Sequence, residues 1–258
     1  MIKRLCMIVC LFLLSACAAD EQVESHFGEV STVQAPADIV AIRNGVTPVS
    51  YILPPPMTSG EMSVEQALAN RRSRRNFMDQ PISIEQLSQI LWAAYGVTEP
   101  RPNAPQLRGG LRTVPSARAL YPLEIYVIIG NVEGILPGVY HYISEEHKIV
   151  MVAEGDIRQE VGEAALGQRM IREAPATLFY SAVFSRMIPR YGDRGIMYTH
   201  MEVGHSAQNV YLQAEALGLG TVAVGAFSDE RIRQLFMLSD EETPLYLMPF
   251  GYFYGIEN

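Results

Sequence analysis

The chain has 258 residues, and its 28 acidic side chains against 20 basic ones give a formal net charge of −8. Such an excess of negative charge repels a phosphate backbone and argues against nucleic acid as a partner. All three cysteines, Cys6, Cys10 and Cys17, fall near the start, so no disulfide, thiolate nucleophile or cysteine-bound metal is expected in the body of the chain.

The first element is a basic Met1-Ile2-Lys3-Arg4 followed by an apolar run from Leu5 to Leu14. A basic start, a short apolar stretch and small residues before a cleavage point form a secretory signal, too short to span a bilayer. Leu14-Ser15-Ala16-Cys17 resembles the bacterial lipobox, in which the cysteine becomes the lipidated first residue. It implies a signal peptide over 1–16, a lipid on Cys17 and a protein anchored to a membrane facing the periplasm, with Ala18 pointing to the outer membrane. Residues 17–55 are polar, lack a period and run into Pro54-Pro55-Pro56, which reads as a tether with a stiff end. Residues 56–258 remain for one globular domain, a length that a single core supports.

Within that domain, Ser63-Val64-Glu65-Gln66 is a capping box opening a short helix whose apolar stripe is Val64, Ala67 and Leu68. The helix runs into Arg71-Arg72-Ser73-Arg74-Arg75, four guanidinium groups and a hydroxyl in five residues. An arginine fork meets two phosphate oxygens at once and stays charged at any physiological pH, so the segment suits a phosphate. Arg71 and Arg75 share a face if the helix persists, with Ser73 adding a donor. The plain alternative is a solvated basic patch.

A second capping box, Ser83-Ile84-Glu85-Gln86, starts a helix with Leu87, Ile90, Leu91 and Ala94 inward and a stop at Gly96. Thr98 to Leu111 is rich in Pro, Gly and Arg and reads as a surface loop. Leu123–Ile129 is a strand, and Gly138–Tyr142 with Lys148–Val152 is a hairpin. Asp156 caps a helix running to about Gly167, and Ala176–Val183 is a buried strand. A long helix from about Tyr198 to Ala216 ends at Gly218-Leu219-Gly220, and strands Thr221–Val224 and Leu245–Phe250 follow. Helices and strands neither alternate strictly nor segregate, which predicts an α+β fold. Gly218-Leu219-Gly220 follows a helix instead of opening one, so it is a helix stop and not a dinucleotide fingerprint. His200 and His205 are five apart, off one helical face and without a third ligand, so no metal site is expected.

Seven ordered segments carry a family resemblance: Leu53–Pro56, Met62–Phe77, Pro81–Gly96, Thr113–Val127, Arg190–Gly195, Gly204–Asn209 and Leu217–Phe227. Between about residues 51 and 251 the chain resembles the nitroreductase superfamily of FMN flavoproteins, and within it the SagB-type dehydrogenases that oxidise azoline rings in peptides. The resemblance implies a nitroreductase-like mixed central sheet flanked by helices, in a homodimer with FMN at the subunit interface. It puts the FMN phosphate on Arg71, Ser73 and Arg75, with Arg72 in the same segment. Pro115, Ser116 and Ala117 would lie against the flavin, and Gly225 and Ala226 would turn backbone donors to its ring. Arg118 stands where the family has glycine, which puts the substrate in question there. Arg190-Tyr191 stands where azoline-oxidising relatives carry Lys-Tyr; arginine cannot act as a base, which leaves Tyr191 as a candidate acid or relay, or as a structural tyrosine. The function implied is an FMN-dependent oxidoreductase moving hydride between flavin and a small-molecule or peptide substrate. The alternative is a non-catalytic ligand- or flavin-binding lipoprotein that keeps the fold.

Overall fold

The computed structural model describes residues 49–255; the signal, Cys17 and most of the expected tether lie outside them. Two adjacent strands explain the architecture. In β4 (Leu123–Ile129) and β7 (Ala176–Val183) every residue is buried. A strand apolar on both sides needs cover on both faces, and successive residues supply it by pointing opposite ways. Ile125, Val127, Ile129, Leu178 and Tyr180 face one core. Tyr126, Ile128 and Phe179 face the other.

The first core is closed by α2 (Ile84–Tyr95) and by α6 (Arg194–Ala216), through Leu87, Ile90 and Leu91 on one helix and Val203, Ala207 and Val210 on the other. The second is closed by α3 (Arg158–Ala164), α4 (Arg169–Glu173) and α7 (Asp229–Leu235), through Val161, Ile171 and Ile232. Around β4 and β7 the sheet is completed by β1 (Ser50–Ile52), β5 (Gly138–Ile143), β6 (Lys148–Glu154), β8 (Gly220–Thr221) and β9 (Glu242–Gly251), in the order β1-β6-β5-β4-β7-β9-β8. The ladders between these strands are antiparallel; a parallel bridge joins Ser73 to Thr221 beside β8. This is the expected α+β arrangement of a central sheet flanked by helices. Among the described residues no helix is long and apolar enough to cross a membrane.

Both capping boxes form, with Ser63 and Ser83 each bonded reciprocally to the glutamine three residues on. Four local readings change. The tether boundary at residue 55 is too late: β1 pairs with β6 from Ser50, Leu53 is buried, and the Pro54 carbonyl accepts from Ser88 Oγ at 2.6 Å. The segment read as one loop after Gly96 contains β2 (Val97–Pro100) and β3 (Gly110–Arg112), a small antiparallel ribbon too short to show a period. Helix α1 (Val64–Asn70) buries only Ala67 and leaves Val64 and Leu68 exposed. It also stops before the arginines, because Arg71 adopts φ −48, ψ 124.

A carboxylate inside β4 marks the strongest polar constraint. Glu124 is 4% exposed and bonds Arg108 at 3.0 Å, Arg186, and His141 at 2.9 Å. Burial works against its charge, but the two guanidinium groups and His141 prevail and hold the carboxyl well below its ordinary value of 4.5. A depressed carboxylate contributes stability above its unfolded value and loses it as pH falls through the folded one. Glu124→Gln would leave two half-buried arginines without their counter-charge, so urea unfolding near neutral pH should show a loss of about 3–5 kcal/mol. That deficit should shrink on acidification below about 4.5, where the unfolded parent chain takes up a proton that the folded carboxylate does not, and vanish once pH falls through the folded value.

Candidate functional site

Because the chain leaves the helix at Arg71, the arginine segment is extended, and its side chains alternate across the backbone. Arg74 N–H donates to the Thr221 carbonyl at 2.9 Å, which fixes the segment along β8. A side chain on Gly220 would collide with Arg74 at 2.6 Å and Phe253 at 2.9 Å, so glycine permits this approach. Arg71, Ser73 and Arg75 alternate with Arg72 and Arg74. The Arg71 guanidinium lies 5.3 Å from the centre of the Tyr211 ring, Ser73 Oγ is 3.1 Å from the Tyr211 hydroxyl, and Arg75 is exposed. On the other side the Arg74 guanidinium sits over Phe253 at 4.6 Å. Arg72 turns back and donates to the carbonyls of Ala69 and Arg71, at 3.0 and 2.8 Å. It caps the helix end, so its place beside Arg71, Ser73 and Arg75 in the sequence does not make it part of that face.

Tyr211 went unnoticed in the sequence. Its hydroxyl meets Ser73 and also accepts the Ala223 N–H at 2.9 Å, joining the arginine segment to the turn that carries Gly225 and Ala226. A side chain at Gly225 would meet nothing nearer than Tyr246 at 3.4 Å, so packing within the subunit does not demand glycine there. Ala226 is exposed, and its carbonyl accepts from Gln168 at 2.9 Å.

The third segment, Pro115 to Tyr121, is pinned at both ends. Asn209 on α6 donates to the Thr113 carbonyl at 3.1 Å. Arg108 and Arg186, the arginines of the Glu124 cluster, both donate to the Tyr121 carbonyl, at 3.0 and 3.1 Å. Pro115 is exposed, Ser116 and Ala117 are half-buried, and Ser116 Oγ accepts the Tyr121 N–H at 3.0 Å. Three non-glycine residues here have left-handed backbone: Arg118 (φ 53), Ala119 (φ 53) and Tyr121 (φ 48). The Arg118 side chain is exposed.

Tyr191 is not gathered with these groups. It ends α5 (Ile188–Tyr191), and its ring packs edge-on against Tyr198 at 5.1 Å, near the opposite end of α6 from Tyr211. Thirteen helical residues separate Tyr198 from Tyr211, a rise of about 20 Å. His200 and His205 are both exposed, and no group of three metal-ligating residues occurs among the described residues.

Sequence reading also missed the buried carboxylates Glu124, Glu202 and Glu242. A signal existed for two of them. Glu124 interrupts an apolar strand, and Glu202 falls on the inward helical face with Thr199, Val203 and Ser206, where a charge requires a partner.

The donors fit a flavin mononucleotide: two guanidinium groups and a hydroxyl for a phosphate, and a glycine turn and a small-residue loop for close backbone approach to a flat ring. The left-handed Arg118 explains why glycine is favoured at that point. Arg118→Gly should relieve a left-handed penalty of about 1–2 kcal/mol against a glycine entropy cost of roughly 0.5–1 kcal/mol. Thermal unfolding should therefore show a small gain in stability.

Known proteins resemble this chain in sequence and in fold. The model of the Nitroreductase family matches residues 68–252. Two proteins bearing the name "putative nitroreductase" are similar. One, MJ1384 of Methanocaldococcus jannaschii, is 49% identical over 191 residues, covering 74% of this chain and 91% of its own. The other, from Ralstonia eutropha JMP134, has a crystal structure that matches with a TM-score of 0.67 at 30% identity, over 80% of this chain and 90% of that one. The microcin B17-processing protein McbC of Escherichia coli is 27% identical over 185 residues, 68% of this chain and 65% of McbC. The chain belongs to the nitroreductase family.

Proposed function

We propose that the protein is an FMN-dependent oxidoreductase acting as a homodimer on a small-molecule or peptide substrate. One observation carries the reading. The extended segment sets Arg71, Ser73 and Arg75 in alternation, and Tyr211 fastens that segment to the backbone turn at Ala223–Ala226. A phosphate grip and a set of backbone donors for a ring are thereby built on one support. FMN, when bound, supplies the hydride acceptor, so few ionisable side chains are required of the protein. Arg71, Ser73 and Arg75 would hold the phosphate, Gly225 and Ala226 would offer backbone to the ring, and Pro115–Ala117 would exclude water from one side. The similarity to McbC, a microcin-processing protein, favours a peptide substrate. Arg118, exposed on the loop, would bias the site toward substrates with acidic groups nearby.

The arginines separate this reading from a solvated basic patch. Arg71→Ala or Arg75→Ala should weaken FMN binding ten- to hundredfold, the equivalent of about 1.5–3 kcal/mol per charge-assisted contact. Arg74→Ala should leave affinity unchanged and instead lower stability by about 0.5–2 kcal/mol, since its cation stacks on Phe253. Equal affinity in all three variants and the parent, measured by flavin titration, would refute the phosphate grip.

The homodimer rests on exposed apolar side chains of adjoining helices. Val64 and Leu68 on α1 are 64% and 53% exposed, and Met201 on α6 is 51% exposed. Val64 and Leu68 are one turn apart and share a face. Light scattering should return twice the subunit mass, and Leu68→Glu combined with Met201→Glu should give a folded monomer with reduced flavin content. A monomeric parent that binds FMN tightly would exclude the interface.

A further inference from the structure

The turn that carries Gly225 and Ala226 is fixed on either side by main-chain bonds. Val224 exchanges N–H···O bonds with Leu247 at 2.8 and 2.9 Å, and Ser228 N–H donates to the Ala164 carbonyl at 2.8 Å. Between these anchors the N–H groups of Gly225, Ala226 and Phe227 have no acceptor among the described residues. Gly225 and Ala226 are exposed. What orients the middle of the turn is a side chain from another element.

That side chain is Gln168, at the start of α4. Its Nε2 donates to the Ala226 carbonyl at 2.9 Å and to the Ala165 carbonyl at 3.0 Å. Both amide hydrogens are therefore spent, and because a carbonyl only accepts, the amide has one orientation. The backbone bends sharply to deliver it. Helix α3 ends with Leu166 N–H on the Glu163 carbonyl and Gly167 N–H on the Gly162 carbonyl, a closure that places a left-handed residue where glycine is usual. Here that residue is Leu166 (φ 60), with Gly167 (φ 77) after it. The Leu166 side chain is 71% exposed, so its packing does not offset the strain. What the bend achieves is to set Gln168 against the turn.

A trans peptide points its C=O and its N–H in opposite directions. With the Ala226 carbonyl turned to Gln168, the Phe227 N–H points away from the α3–α4 turn. Neither group of this peptide has another hydrogen bond among the described residues, so without Gln168 nothing polar restrains its rotation. We propose that Gln168 is a positioning residue that locks the Ala226–Phe227 peptide and makes the Phe227 N–H a donor that the turn presents to bound flavin. Hydrogen bonds to a flavin ring tune its electronics, so the potential of the cofactor would depend on a residue that does not touch it. The anchor needs no ligand; the role of the donor rests on reading this turn as a flavin contact.

The test is amide exchange on the purified protein, with and without FMN, comparing the parent with Gln168→Met and with Gln159→Met, a control whose amide bonds only Glu163 on the exposed side of α3. Before flavin is added, the Ser228 amide should exchange roughly five- to tenfold faster in Gln168→Met, the worth of one ordinary hydrogen bond, while Val224 is unchanged. FMN should slow exchange at Phe227 about tenfold in the parent and the control and have little effect there in Gln168→Met. The midpoint potential of bound flavin should shift by about 30 mV in Gln168→Met, the equivalent of tenfold for a two-electron couple. A residue that merely ended a helix would leave that potential where it was. Gln168→Glu, alike in shape but with no hydrogen to donate near neutral pH, should reproduce the faster Ser228 exchange if the methionine variant folds poorly. Phe227 left unprotected in the FMN-bound parent, or protection and potential that survive in Gln168→Met, would overturn the proposal. A parent that binds no FMN, with the faster Ser228 exchange still seen in the variant, would leave the anchor standing and overturn the flavin reading alone.

Discussion

Burial of both faces of β4 and β7 is the constraint on which everything else in this fold depends. Two adjacent strands with no solvated residue cannot sit at an edge or under one layer. They require helices above and below, and the side-chain period of two divides their apolar residues between two separate cores. A charge trapped between those cores must be paired there. Glu124 is the clearest case: its carboxylate is tolerated because Arg108, Arg186 and His141 converge on it.

That ion cluster does more than neutralise a charge. The same two arginines donate to the Tyr121 carbonyl, so the polar centre of β4 also sets the exit of the loop that begins at Pro115. Left-handed conformations at Arg118, Ala119 and Tyr121 are sustained because both ends of the loop are tied down. Core stability and site geometry are therefore coupled through a handful of hydrogen bonds, and substitutions in one will be felt in the other.

Helix α6 is the spine of the candidate site. Asn209 holds the entry of the Pro115–Tyr121 loop, and Tyr211 joins the arginine segment to the turn at Ala223. These residues lie on one long helix packed against the sheet. Segments distant in sequence are thus held by a rigid element, as a site that must present several donors to one ligand requires. The long helix also leaves Met197 and Met201 exposed on its outer side.

Much of this was determined by sequence alone. Apolar runs at β4 and β7, reciprocal caps at Ser63 and Ser83, and the stop after Ala216 are local signals, set by side-chain period and by backbone donors near the chain. The arginine cluster was equally visible, as was the family to which the ordered motifs belong. Which arginines share a face was not, because it depends on whether the helix continues past Asn70, and the bridge from Ser73 to Thr221 settles that from across the fold. Short pieces such as β1, β2 and β3 have too few residues for a period and exist only because a partner strand is present. Tyr211 looked like an ordinary helix residue, and Glu202 stood out only as a charge on an inward face. Tertiary structure alone decided their partners, because a hydrogen bond between residues more than a hundred positions apart leaves no local trace in the chain.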